Sequence, residues 1–125
     1  MRLLIDSHTF LWILGRPEAL SNTARQALGD RDNERVVSVA SLWEIGIKVS
    51  TGKLIAPMEL DAAVPFAAAT VLPISTAHIK RVQALPFHHR DPFDRMMIAQ
   101  AIEEGLTIVT RDRIFAAYGM PVLTA

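Results

Sequence analysis

Short apolar runs alternate along the chain with longer stretches in which apolar side chains recur every three or four positions. Leu3, Leu4 and Ile5 form a continuous run ended by Asp6 and Ser7, the pattern of a strand buried on both faces that feeds a helix over His8 to Leu14. Gly15, Arg16 and Pro17 end that helix, and Ser21 is placed to cap a second one through Leu28. After the charged turn Gly29 to Arg35, Val36 to Val39 reads as a strand and Ala40 to Val49 as a helix closed by Ser50, Thr51 and Gly52. Beyond a loop holding Pro57, a helix over Leu60 to Ala69 is expected to lead into a strand at Thr70 to Ile74, with Pro65 in conflict with the helix. Ser75 or Thr76 starts a helix to Leu85, and Pro86 to Arg90 forms a loop. Asp91 at the cap and Pro92 at the first helical position announce a helix to Glu104, which Gly105 ends. Strand Leu106 to Thr110, a short last helix and Val122–Leu123 complete the pattern. Strands and helices alternating in this way predict one domain over residues 1–125, a three-layer α/β/α sandwich with a central mostly parallel sheet.

Composition then narrows the chemistry. Of 125 residues, 50% are hydrophobic and 21% charged, which supports a folded core and excludes an unstructured interaction tail. Thirteen Lys+Arg balance thirteen Asp+Glu, so no global field gathers a polyanion, and any nucleic-acid contact relies on local patches. The absence of cysteine removes disulfides, thiolate nucleophiles and thiolate-bound zinc or iron–sulfur centres, and it suits a reducing cytoplasm. Arg2 before an apolar run has the look of a leader segment, but Asp6 and His8 interrupt it and no small-residue cleavage site follows. The stretch Ala62 to Ile74 contains Pro65, Thr70 and Pro73 and falls short of the roughly 18 residues needed to cross a bilayer, so no membrane association is expected.

The acids carry the sharpest signal. Asp6 follows the first strand and Asp112 follows Leu106 to Val109, so both belong to strand-to-helix turns, which share one edge of a parallel sheet. Asp94 and Glu44 lie early in helices that run back along the sheet, and those helix starts lie at the same edge. At 100° per residue Asp94 falls between Met97 and Ile98 and below Ala101, on the apolar stripe, whereas Arg95, Gln100, Glu103 and Glu104 take other directions. An inward carboxylate needs a cation or an arginine, or else takes up a proton. Glu44 shares a narrow polar strip with Ser41 and Lys48 and is equally readable as a surface partner of Lys48.

Bland readings exist for each residue. Asp6 and Asp112 serve as helix caps, Asp94 as a first-turn acid favoured by the helix dipole, and Asp91 before Pro92 reads as a cap rather than a ligand. His88 and His89 read as a solvated Pro-flanked loop outside any metal site, His78 as structural, and His8 as either crevice lining or helix-start packing. Trp12, Trp43 and Phe93 read as core in preference to partner contacts. Thr110 either orients a ligand or water or merely caps.

Four carboxylates at one crevice repel one another unless a divalent cation reverses the balance, and all-oxygen ligands select Mg2+ or Mn2+. Phosphodiester hydrolysis suits such a centre, because the ion supplies the activation and no protein nucleophile is needed. Lys48, Arg90, Arg95, Arg111 and Arg113 are placed to attract the flanking phosphates that the acids repel.

The segments LLIDSHTFLWIL, SVASLWEIGIKVSTGKL and HHRDPFDRMMIAQAIEEGLTIVTRD resemble the PIN-domain ribonucleases, specifically the VapC-type toxins of bacterial toxin–antitoxin modules. The resemblance spans almost the whole chain and rests on the ordered set Asp6, Glu44, Asp94 and Asp112. It implies an α/β sandwich whose acids bind magnesium or manganese for cleavage of single-stranded RNA. It further implies a homodimer inhibited by a cognate antitoxin whose C-terminal segment occupies a groove near the acids. The last acidic position varies most in that family, which leaves Asp112 acting directly or through water. Two other classes compete: a phosphoacceptor receiver-like signalling domain, which resembles a pattern with paired acids after the first strand and a lysine after the last, and a catalytically silent binding module. Asp6 stands alone and Met120–Pro121 offer no lysine, so the receiver pattern is not met.

Overall fold

In the computed structural model, which describes residues 1–125, the apolar runs become strands β1 (Arg2–Ile5), β2 (Glu34–Ser38), β3 (Ala69–Leu72), β4 (Thr107–Thr110) and β5 (Val122–Thr124). They form one five-stranded sheet in the order β3-β2-β1-β4-β5, with every pairing parallel. Parallel neighbours require crossovers, and helices α1 (Ser7–Gly15), α2 (Asn22–Gly29), α3 (Val39–Ser50), α4 (Leu60–Phe66), α5 (Thr76–Ala84) and α6 (Pro92–Glu104) provide most of that connecting structure.

Side chains alternate across the strands, and the alternation sorts the core into two layers. Leu3, Ile5, Val37 and Val109 pack on one side with Phe10 and Leu14 of α1, Leu28 of α2, Ile45 of α3 and Ala63 of α4. Leu4, Val36 and Ile108 pack on the other with Met97, Ile98 and Ala101 of α6, together with Phe115. Both sides of the sheet are therefore covered, which explains why its central strands read as continuous apolar runs.

The element bounds follow local chemistry. Ser21 caps α2 by accepting from the Ala24 N–H at 3.0 Å, and Asp91 caps α6 by accepting from the N–H groups of Phe93 and Asp94 at 2.8 and 3.1 Å. Gly105 closes α6 in the left-handed conformation, φ 66°, where a side chain would be strained. Helix α4 ends at Phe66, three residues earlier than expected. Ala68 adopts φ 52° there, reversing the chain into β3, and Pro73 lacks the N–H that would prolong that strand. The residues after Gly15 form a 3-10 turn at Pro17–Ala19, and the last helical segment, Arg113–Tyr118, is also 3-10.

The chain builds the sheet outward from β1 to β2 and β3, then returns to the far side of β1 for β4 and β5. Such a reversal opens a crevice at the carboxyl ends of the two strands that flank it, here β1 and β4.

Candidate functional site

Asp6 leaves β1 directly into that crevice and is buried. Its Oδ1 accepts the Thr9 N–H at 2.9 Å, capping α1, and its Oδ2 accepts the hydroxyl of Thr110 at 2.5 Å across the gap between β1 and β4. The cap and site readings of Asp6 are thus compatible, because one oxygen serves each. The Thr110 oxygen also accepts the backbone N–H of Asp112 at 3.0 Å, so one hydroxyl fixes Asp6 and the start of the turn that carries Asp112. Asp112 Oδ1 caps the following 3-10 segment through the Ile114 N–H at 2.9 Å.

Asp94 occupies the first turn of α6 with 22% of its side chain exposed, as its helical phase requires. Its carboxyl is pushed up to about 7 from an ordinary 3.8. Burial is the main cause, the negative charges of Asp91, Glu44 and Asp6 add to it, and His89 opposes it. Glu44 is 9% exposed and therefore no ordinary surface residue. Ser7, next to Asp6, donates its hydroxyl to Glu44 Oε1 at 2.6 Å, while Lys48 lies 3.5 Å from Oε2. The structure thus brings Asp6, Glu44, Asp94 and Asp112 to one edge, each held by its own helix start or by a hydroxyl. The tightest group is smaller: ligand atoms of His89, Asp94 and Asp112 lie within 4.8 Å of one another.

His89 is the member that the sequence reading left out. Its Nε2 sits 3.0 Å from Asp94 Oδ2 and 2.9 Å from Asp112 Oδ2, bridging residues that are far apart along the chain. Only its place five residues before Asp94 hinted at this. His88, by contrast, is exposed with its ring edge against Tyr118 at 5.1 Å, as expected of a solvated loop.

Of the cations assigned to RNA, Arg95 is placed otherwise, and Arg111, though exposed, also makes contacts within the chain. Arg95 is buried, and its guanidinium donates to the carbonyls of Pro86, His89, Val82 and Leu85 at 2.9 to 3.3 Å while lying over the Phe87 ring. Helix α6 packs against both α3 and α5, so Arg95 and Gln100, read as pointing away from the core, are enclosed along with its apolar stripe. Arg111 donates to the carbonyls of Ala125 and Ala19, with its guanidinium 4.2 Å from the centre of the Trp12 ring. Lys48 remains half-exposed beside Glu44, and Arg90 and Arg113 are exposed. Trp43, expected in the core, is 62% exposed, edge-on to Phe93 at 5.3 Å. Helix α3 is apolar around most of its circumference and only part of that surface can meet the sheet.

The donor set consists of carboxylate oxygens with one imidazole beside them, the chemistry of a hard divalent cation. The repulsion that adds to burial in raising Asp94 is an imbalance such an ion would relieve.

A family model described as PIN domain matches residues 3–120. The chain is 32% identical to Ribonuclease VapC22 of Mycobacterium tuberculosis over 127 aligned positions, which cover 95% of this chain and 93% of that protein. Among solved structures, VapBC2 from Rickettsia felis bound to a promoter DNA fragment matches with TM-score 0.73 and 14% identity over 98% of both chains. DNA-bound VapBC from Salmonella typhimurium matches at TM-score 0.69 and 19% identity over 98% and 97% of the two chains. FitAcB from Neisseria gonorrhoeae matches at 0.60 and 16% over 98% and 96%. These structural likenesses establish a common fold.

Proposed function

The chain belongs to the PIN-domain family, and on that premise we propose that it is a divalent-metal-dependent endoribonuclease acting on single-stranded RNA as the toxin of a toxin–antitoxin pair. The observation that carries this reading is the meeting of Asp6, Glu44, Asp94 and Asp112 at the β1/β4 crevice, close enough that Asp6 and Glu44 help to push up the Asp94 carboxyl. Those four acids are the residues that would hold Mg2+ or Mn2+. Such an ion supplies Lewis acidity at a phosphodiester and offsets the charge that builds on its oxygens.

The remaining work belongs to the chain's own side chains. Thr110 and the Thr9 N–H fix both oxygens of Asp6, and Ser7 fixes one oxygen of Glu44, so the carboxylates are preorganised by their surroundings. Lys48, Arg90, Arg111 and Arg113 are the cations left to contact flanking phosphates. The likeness to Ribonuclease VapC22 supports RNA as substrate, and the toxin–antitoxin assemblies among the structural neighbours support an antitoxin partner. Exposed apolar side chains on and after α3, among them Trp43, Val49 and Ile55, offer surface for that partner or for a second copy in a homodimer.

The decisive experiment incubates total RNA with the protein and Mn2+ or Mg2+ and maps the ends produced. Cleavage that requires the metal and disappears in Asp6→Asn and Asp94→Asn, both still folded, is the expected result. Metal-independent cleavage, or a cleavage-competent Asp94→Asn variant, overturns the reading. Acid-labile phosphoaspartate after exposure to a small phosphodonor would point instead to a receiver-like domain.

A further inference from the structure

The hydrogen on the His89 ring can be located from what surrounds it. Nδ1 accepts the backbone N–H of Asp91 at 3.3 Å, so the ring hydrogen belongs on Nε2. Nε2 in turn faces two carboxyl oxygens, Asp94 Oδ2 at 3.0 Å and Asp112 Oδ2 at 2.9 Å. The ring is held in this orientation by its setting. Phe115 forms a T-shaped pair with it, ring centres 5.5 Å apart, and Tyr118 accepts the His89 backbone N–H at 2.7 Å while donating to the Pro86 carbonyl at 2.8 Å. Arg95, buried beneath the loop, takes the His89 carbonyl at 3.2 Å and the Pro86 carbonyl at 2.9 Å. A histidine that binds a metal through Nε2 gives its other ring hydrogen to an acceptor, yet here Nδ1 confronts a donor.

We propose that His89 is a positioning residue that donates its Nε2–H between Asp94 and Asp112, setting their spacing for a divalent cation while staying out of the coordination sphere itself. This assignment rests on the metal-centre reading above. It explains why a loop that offers no acid to the centre is anchored by a buried arginine and a tyrosine, and it gives the two carboxylates a shared donor when no ion is bound.

Two measurements on the full chain test it. In metal-free protein, long-range 1H–15N spectra of the histidine rings should show His89 with hydrogen on Nε2 alone; hydrogen on Nδ1 overturns the assignment. Mn2+ titration followed by electron spin-echo spectroscopy should then show uptake without a 14N coupling from a bound imidazole. His89→Gln, whose amide N–H reaches the same place, should keep Mn2+ affinity within about threefold, and His89→Ala should lose about tenfold or more. An imidazole 14N coupling that vanishes in His89→Gln makes His89 a ligand and overturns the inference while the metal centre stands. Equal affinity in all three proteins also overturns it. A wild-type protein that takes up no Mn2+ yet shows the Nε2 hydrogen overturns the metal-centre reading, and with it the role given to the ring.

Discussion

At Asp94 two demands conflict: the start of α6 favours a negative charge, and burial among other acids disfavours it. Burial prevails, since the carboxyl is raised to about 7, so the folded chain holds a proton that the unfolded chain releases near the ordinary 3.8. The stability associated with that proton is complete below about pH 4 and is lost as pH rises through about 7. Asp94→Asn removes the penalty. In EDTA, its melting temperature should exceed that of the wild type by several degrees at pH 8, at roughly 4 °C per kcal/mol, with the gain shrinking toward pH 4. Thermal melts at both pH values check this, and an equal difference at the two would refute the cause. Adding Mn2+ should reverse the order by stabilising the wild type alone. Asp94 was legible because helical phase is a local property. His89 was not, because its partner Asp112 is brought near only by the folded sheet, and nothing in a pair of adjacent histidines reveals a contact made 23 residues away.

Helix α6 and the loop before it show the same division between local and distant causes. The start at Asp91–Pro92 and the stop at Gly105 could be read directly, since caps act within a few residues. The fate of Arg95 could not, because its four carbonyl partners gather only when α5 and the following loop fold against α6. Arg95→Lys should lower stability by about 2 kcal/mol, as a single ammonium cannot replace the planar fork and leaves buried carbonyls unpaired. It should also open Pro86 to Arg90 to proteolysis. Arg113→Ala, on an exposed site, should leave the melt unchanged and weaken RNA binding. Urea denaturation and binding measured on the two variants separate structural from phosphate-contacting arginines, and the opposite pattern would restore Arg95 to the RNA surface. Removing the cap with Asp91→Ala should cost about 0.5–2 kcal/mol, and its Mn2+ affinity should fall less than that of Asp94→Asn.

For the molecule as a whole, the layered α/β architecture was readable because strand runs and helical periodicities alternate, and the gathering of acids followed from strand ends sharing an edge. What the pattern lacked was the strand order, and with it the crevice between β1 and β4. Thirteen basic and thirteen acidic residues leave RNA affinity to the cations grouped near the acids. With Lys48, Arg90, Arg111 and Arg113 as the contacts, binding to a single-stranded oligonucleotide should change with salt on a log–log slope no steeper than about −3. Anisotropy titrations with Asp94→Asn over a range of salt check this, and a much steeper slope would reveal a basic surface contributed by a second subunit.

The bond from Thr110 to Asp6 joins residues 104 positions apart. During synthesis Asp6 leaves the exit tunnel well before Thr110, so the acid cluster cannot be completed until β4 and the turn beyond it have emerged. Closing the acid cluster is therefore a late event in folding, because it waits on a partner 104 positions downstream of Asp6.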